Sequence, residues 1–264
     1  MGKRSFKTNA NGIDFYCEMR GNGPKVVLVP DGWNDCGTYG KLADILAEEF
    51  TVLTFDMRGG SRSMDDNPQK VTPTLLADDV AAIMKALDFA PASVFGCSSG
   101  GQAVLSLGKH YPELAINLMV HEVALQADAP IENTGYDLYK NLATFANYCV
   151  DIEPKHISLV CNADKLMELD EECRRRIKQN GVFWSKWYLG TCDADSYFAE
   201  DFAKMPPTSF TVGTWTPSWA VYANIETANR GNCPVTWVGS GHFPNITCPE
   251  EYAKHLKKTI KKYL

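Results

Sequence analysis

Ser93-Val94-Phe95-Gly96-Cys97-Ser98-Ser99-Gly100-Gly101-Gln102 is the stretch that decides the fold. Its start is a short apolar run, the pattern of a buried strand, and it passes with no spacer into G-x-S-x-G at Gly96–Gly100. Gln102–His110 continues at helical spacing, so strand, sharp turn and helix follow one another. A serine in such a turn has its hydroxyl lifted above the C-terminal edge of a sheet, and its neighbours must be small because the chain doubles back on itself. Ser98 is the candidate nucleophile, and Ser99, starting the helix, offers a free backbone N–H to a developing oxyanion. Ser99 as nucleophile stands one position off the spacing. The plain alternative, a Gly/Ser-rich turn or phosphate loop, does not require this placement between a buried strand and a helix.

Working outward, Ser5–Thr8 and Ile13–Glu18 read as strands joined by the hairpin signal Asn11-Gly12. Lys25–Val29 and Thr51–Phe55 are short runs suited to strands buried on both faces, and Ala115–Val120 is another apolar strand. Helical spacing covers Tyr39–Glu48 and Thr74–Leu87 between them. Strands alternating with helices in this way predict an α/β class fold, the α/β-hydrolase fold, with a mostly parallel central sheet flanked by helices. The alternation stops near Leu125 and resumes at Phe210–Val212, Trp215–Asn229 and Val235–Val238, with a closing helix at Glu250–Tyr263. The predicted organisation is a core of residues 1–124 and 207–264 and an inserted helical cap of residues 125–206, rich in aromatic side chains.

Composition narrows the function classes. The 264 residues carry a net charge of −6 and their longest basic stretch, Lys257–Lys262, has helical spacing, so nucleic acid is not an expected partner. The nine cysteines form no CxxC pair and no Cys/His ligand spacing, which argues against a disulfide framework and a structural zinc site. No apolar leader opens the chain and no window suits a membrane span, so the expectation is a cytoplasmic protein without membrane contact. A homodimer is compatible with the fold, though no residue in the sequence argues for one.

A serine nucleophile needs a base and an orienting acid. Of five histidines, His242 alone lies in a flexible loop just after the last predicted strand, in Gly239-Ser240-Gly241-His242-Phe243-Pro244. Most hydrolases of this fold place an aspartate after the penultimate strand, but Thr211–Ser218 contains no carboxylate, and Glu226 is the only acid between Pro206 and His242. The earlier strand ends in Val120-His121-Glu122, so Glu122 is the candidate acid, with Asp128 and Glu132 as rivals. His121 adjoins that acid and is read as shaping the site. The second oxyanion donor falls in Pro30-Asp31-Gly32-Trp33, where Gly32 permits close approach and φ freedom and Asp31 stands where fold relatives usually show histidine.

Together VVLVPDG (Val26–Gly32), TFDMRGGSRS (Thr54–Ser63), GCSSG (Gly96–Gly100), HE (His121-Glu122), NI (Asn224-Ile225) and GHFP (Gly241–Pro244) resemble the fungal zearalenone hydrolases, lactonases that open a macrocyclic resorcylic lactone. The resemblance implies a Ser98, His242, Glu122 triad and an oxyanion hole from the amides of Gly32 and Ser99, without a cofactor or metal. It also implies substrate contacts at Trp184, Tyr188, Val221, Gly241 and Phe243; cap-to-core packing is the ordinary role of a Trp–Tyr pair four apart on a helix. Departures gather at this pocket: Leu189 replaces an expected proline, Gly241 a larger residue and Val221 an aromatic one. The expected reaction is hydrolysis of a small, apolar, aromatic lactone or ester. The alternatives on this fold are a carboxylesterase, a carbon–carbon bond hydrolase, a cofactor-free dioxygenase and a slow-turnover ligand receptor.

Overall fold

The structure is a computed structural model that describes residues 2–125, 163–188, 196–216 and 218–264. Eight strands form one sheet: β1 (Arg4–Ala10), β2 (Ile13–Arg20), β3 (Lys25–Val29), β4 (Thr51–Phe55), β5 (Ala92–Cys97), β6 (Ala115–His121), β7 (Thr208–Gly213) and β8 (Val235–Val238). Their spatial order is β1-β2-β4-β3-β5-β6-β7-β8. β2 runs antiparallel to both neighbours, and the strands from β4 to β8 are mutually parallel. β1 extends past the predicted Ser5–Thr8 because all seven of its residues pair in register with β2, polar ones included.

Helices cover the sheet: α1 (Gly40–Leu46), α2 (Pro73–Ala86), α3 (Ser99–His110), α4 (Ala163–Met167), α5 (Glu171–Trp187), α6 (Ala199–Phe202), α7 (Ser218–Arg230), α8 (Pro244–Thr247) and α9 (Pro249–Lys261). The start of α2 follows from local chemistry: Thr72 Oγ1 accepts the Leu75 N–H, and Pro73, which has no N–H, takes the first turn. The predicted helix from Tyr39 begins instead as a 3-10 turn at Cys36–Tyr39, because Asp35 accepts the Gly37 N–H and tightens the entry.

Strand periodicity divides the core in two. Val27 and Val29 of β3 join a cluster with Leu76, Val80 and Ile83 of α2, whereas Val26 and Leu28 join Leu42 and Leu46 of α1 and Leu256 of α9 on the opposite face. All four β3 residues are fully buried, each contributing about 1.5–3 kcal/mol of burial. Helix α5 spans both clusters, with Cys173 and Ile177 in one and Trp184, followed by the C-cap Tyr188, in the other.

The β5–α3 turn is the tightest backbone approach in the centre of the sheet. A Cβ at Gly96 would lie 2.5 Å from the Gly100 carbonyl carbon and 2.8 Å from Val104 Cγ2, and one at Gly100 would lie 2.6 Å from the Val29 carbonyl oxygen. Because the obstacles are mainly backbone, neither site relaxes by rotating a side chain. Gly96→Ala is therefore expected to cost at least about 2 kcal/mol, read as a lower urea midpoint at unchanged slope.

Candidate active site

Ser98 lies between β5 and α3 with φ 54° and ψ −121°, a conformation that is costly for a residue with a Cβ. Its N–H donates to the His121 carbonyl at 3.0 Å, which ties the turn to the end of β6, and its own carbonyl accepts the Gln102 N–H. Ser98 is only partly buried, whereas Ser99, opening α3, is buried.

Glu122 follows β6 directly and also has a left-handed backbone, φ 43°. Its carboxylate is fully enclosed: Oε1 accepts the Gly213 N–H at 2.6 Å and Oε2 accepts from His242 Nδ1 at 2.8 Å. Asn224 of α7 grips the next residue at both ends, its Oδ1 accepting the Val123 N–H at 2.9 Å and its Nδ2 donating to the Val123 carbonyl at 3.0 Å. Gln102 Nε2 donates to the Ala124 carbonyl from the other side. Asp128, Glu132 and Leu189 lie outside the described residues.

Burial raises the Glu122 carboxyl, but the attraction of His121 and the hydrogen bond from His242 outweigh it and hold its pKa at about 2. His121 is itself fully buried, and burial pushes its pKa down to about 4. At neutral pH it is therefore uncharged, while Glu122, held at about 2, is ionised. With Nδ1–H committed to Glu122, the imidazole of His242 presents Nε2 as a lone-pair acceptor. The His242 carbonyl accepts from Cys97 Sγ at 3.1 Å, which brings the β8 loop back against the residue before Ser98. Ser98 Oγ makes no hydrogen bond to His242 in this geometry; such contacts commonly tighten only when substrate is bound.

Gly32 lies in the loop after β3, and its backbone is not left-handed, contrary to the φ freedom expected of it. The glycine brings this loop close against α5: a Cβ there would come within 3.1 Å of Trp184 Nε1 and 3.8 Å of Ser99 Oγ. The neighbouring Asp31 is fully buried and raised to about 7 by that burial, with Oδ1 accepting the Trp33 N–H at 2.9 Å.

The residues expected to touch substrate divide by environment. Trp184 is 8% exposed, and its indole N–H has no partner among the described residues. Phe243 packs on His242 with ring centroids 4.6 Å apart and on Trp33 at 5.4 Å, and Val221 is buried on α7. The Gly241 carbonyl accepts from Ser240 Oγ at 2.8 Å and lies 3.4 Å from His121 Nε2. Tyr188 is fully enclosed with its hydroxyl donating to the Arg58 carbonyl at 2.8 Å, in the seam between α5 and the sheet domain. Sequence reasoning assigned no role to Asn224 or Gln102. The only trace of the first was its place in the Asn224-Ile225 motif.

The low pKa of His121 has a consequence for stability. Between about pH 4 and pH 6.5 the unfolded chain binds a proton at this site that the folded protein refuses, so stability falls on acidification through that window. The raised Asp31 carboxyl acts in the opposite sense, so the difference between the protein and a His121→Gln variant isolates the histidine. Urea melts from pH 7.5 to 4.5 are expected to show the variant losing up to about 3 kcal/mol less than the parent across that range.

Comparison with known proteins agrees with the fold. The alpha/beta hydrolase family model matches residues 26–255. The chain is 34% identical over 265 residues to a zearalenone hydrolase of Cladophialophora bantiana, covering 99% of this chain and 98% of that one. It is 31% identical over 270 residues to a zearalenone hydrolase of Bionectria ochroleuca, covering 100% of both. Among solved structures, that of Est816, described as an N-acyl homoserine lactone degrading enzyme, superposes with a TM-score of 0.74 at 18% identity, covering 96% of this chain and 99% of that one. An eight-stranded sheet in this order and full-length likeness to two zearalenone hydrolases lead to one conclusion: the chain belongs to the α/β-hydrolase family, among the zearalenone hydrolases, and is a hydrolase of ester or lactone bonds.

Proposed function

We propose that the protein is a serine hydrolase that opens a macrocyclic lactone of the resorcylic acid class through an acyl-enzyme, with Ser98 as nucleophile, His242 as general base and Glu122 as orienting acid. The observation that carries this reading is the 2.8 Å bond from His242 Nδ1 to an ionised, enclosed Glu122, made beside a serine with φ 54°. His242 Nε2 takes the Ser98 hydroxyl proton as Oγ bonds to the lactone carbonyl carbon, and the carbonyl π pair moves to its oxygen. The amides of Gly32 and Ser99 hold that oxyanion, each worth about 3–4 kcal/mol in the transition state. Collapse of the intermediate breaks the ring C–O bond, and Nε2 returns its proton to the departing alkoxide, which stays tethered to the acyl group. Water then adds to the acyl carbon, giving its proton to Nε2, and Ser98 leaves with that proton. The product is an open hydroxy acid.

The apolar cap of residues 125–206 is proposed to bind the substrate together with Phe243, Val221 and Gly241, with Trp184 as its contact from α5. An indole N–H with no partner beside Gly32 suits a polar group on an otherwise apolar aromatic ligand. The absence of a carboxylate in Thr211–Thr216 sets the site apart from a carboxylesterase arrangement with a late aspartate.

The test is incubation with zearalenone and with a short-chain aryl ester, followed by chromatography. Ring opening is expected, with Ser98→Ala losing at least about 10⁴-fold in kcat and Glu122→Gln about 10²–10⁴-fold. Ester cleavage without loss of the macrolactone would move the substrate elsewhere; full turnover by Ser98→Ala would sink the mechanism.

A further inference from the structure

Asn180, midway along α5 and 5% exposed, has no part in the reaction as written above. Its Nδ2 donates to the Trp33 carbonyl at 2.8 Å and to Ser61 Oγ at 2.7 Å, and its Oδ1 accepts the Ser61 N–H at 2.7 Å. Ser61 is itself left-handed, φ 49°, and its hydroxyl donates to Asp35 Oδ2 at 2.6 Å. One amide on the inserted helix therefore grips two loops of the sheet domain.

The Trp33 carbonyl matters because Gly32 comes just before it. Asp31–Asn34 is a tight turn in which the Asn34 N–H donates to the Asp31 carbonyl at 3.0 Å. In a trans peptide the N–H points opposite to the carbonyl. Holding the Asp31 carbonyl inside the turn thus aims the Gly32 N–H outward. The next two peptides are held at the Trp33 N–H by Asp31 Oδ1 and at the Trp33 carbonyl by Asn180. The turn is pinned from beneath by its own carboxyl and from above by the helix. On the same helix face, four residues on, Trp184 lies against Gly32.

We propose that Asn180 is a positioning residue for the oxyanion hole: by holding the Trp33 carbonyl from α5, it keeps the Gly32 amide in its donating orientation while the helix is seated. This rests on the triad reading above. Arg176, one turn earlier, bonds to Asp35 at 2.5 Å through Nε and makes no hydrogen bond to Trp33, so it seats the helix without touching the turn.

The experiment compares Asn180→Ala, Asn180→Asp and Arg176→Gln by kcat, KM and Tm, on zearalenone and on a small aryl ester. Asn180→Asp keeps the size and the acceptor for Ser61 but, when ionised, cannot donate to the Trp33 carbonyl, so it is assayed above neutral pH and carries the test should the alanine variant fail to fold. Both Asn180 variants are expected to lose roughly tenfold to a hundredfold in kcat on both substrates, less than deleting a donor outright, with KM for the aryl ester within about twofold. Arg176→Gln is expected to hold kcat within about twofold even where its Tm falls as far. Equal kcat losses in the Asn180 and Arg176 variants, or a change in KM alone, would overturn the assignment. Ser98→Ala is run alongside: its continued turnover would overturn the triad reading and this proposal with it, whereas an inactive Ser98→Ala beside a normal kcat in Asn180→Asp overturns the proposal only.

Discussion

Strands β5 and β6 end in register, Cys97 beside His121, and the site depends on that pairing. The next residue on each strand, Ser98 and Glu122, turns left-handed, and the Ser98 N–H donates to the His121 carbonyl where the strands part. Two neighbouring parallel strands thus deliver a hydroxyl and a carboxylate to one edge of the sheet, the edge at which open α/β sheets present their ligands. The imidazole then has only one short path to follow, from the β8 loop across β7 to Glu122. Were one strand to slip by one residue against the other, its side chains would change face and the two groups would no longer meet.

Two strained residues at the centre of the site cost about 1–3 kcal/mol each and persist because the surroundings leave them no other conformation. On the Glu122 side that constraint is polar. Gly213 and His242 satisfy the carboxylate, Asn224 both ends of Val123, and Gln102 the Ala124 carbonyl, so the turn after β6 is held from four segments. On the Ser98 side it is steric, since the glycines at 96 and 100 allow α3 to lie directly on the ends of β3 and β5. Buried hydrogen bonds of this kind stiffen a site, and the low local dielectric that strengthens them makes any single loss expensive.

One stripe of side chains carries much of the junction between α5 and the sheet domain, beside the packing of Cys173, Ile177 and Phe183. Arg176, Asn180, Trp184 and Tyr188 recur at every fourth position and meet Asp35, the Trp33 carbonyl, Gly32 and the Arg58 carbonyl in turn. The polar members fix orientation and the aromatic ones supply apolar area. The inserted helix therefore enters the wall of the site at the loop that holds one of the proposed oxyanion donors.

Much of this was legible in the sequence because it is local. Buried parallel strands announce themselves as continuous apolar runs, and an elbow needs its glycines at fixed spacing whatever surrounds it, so Lys25–Val29, Thr51–Phe55 and Gly96–Gly100 could be read directly. His242 stood out by its place after the last strand, and Glu122 by the lack of a later acid. Asn180 and Asn224 could not be read, because their partners are backbone atoms 147 and 101 residues away that carry no side-chain signature. Asp31 looked like a substitution in a loop, yet it is fully buried and burial raises its carboxyl to about 7. Sequence alone determined the order of strands and helices and the residue types able to carry the chemistry, since both depend on contacts within a few residues. Tertiary structure decided which carboxylate meets the imidazole, how closely Gly32 meets Trp184, and which distant amide holds its turn, because each depends on where the folded sheet and the inserted helix bring remote residues into contact.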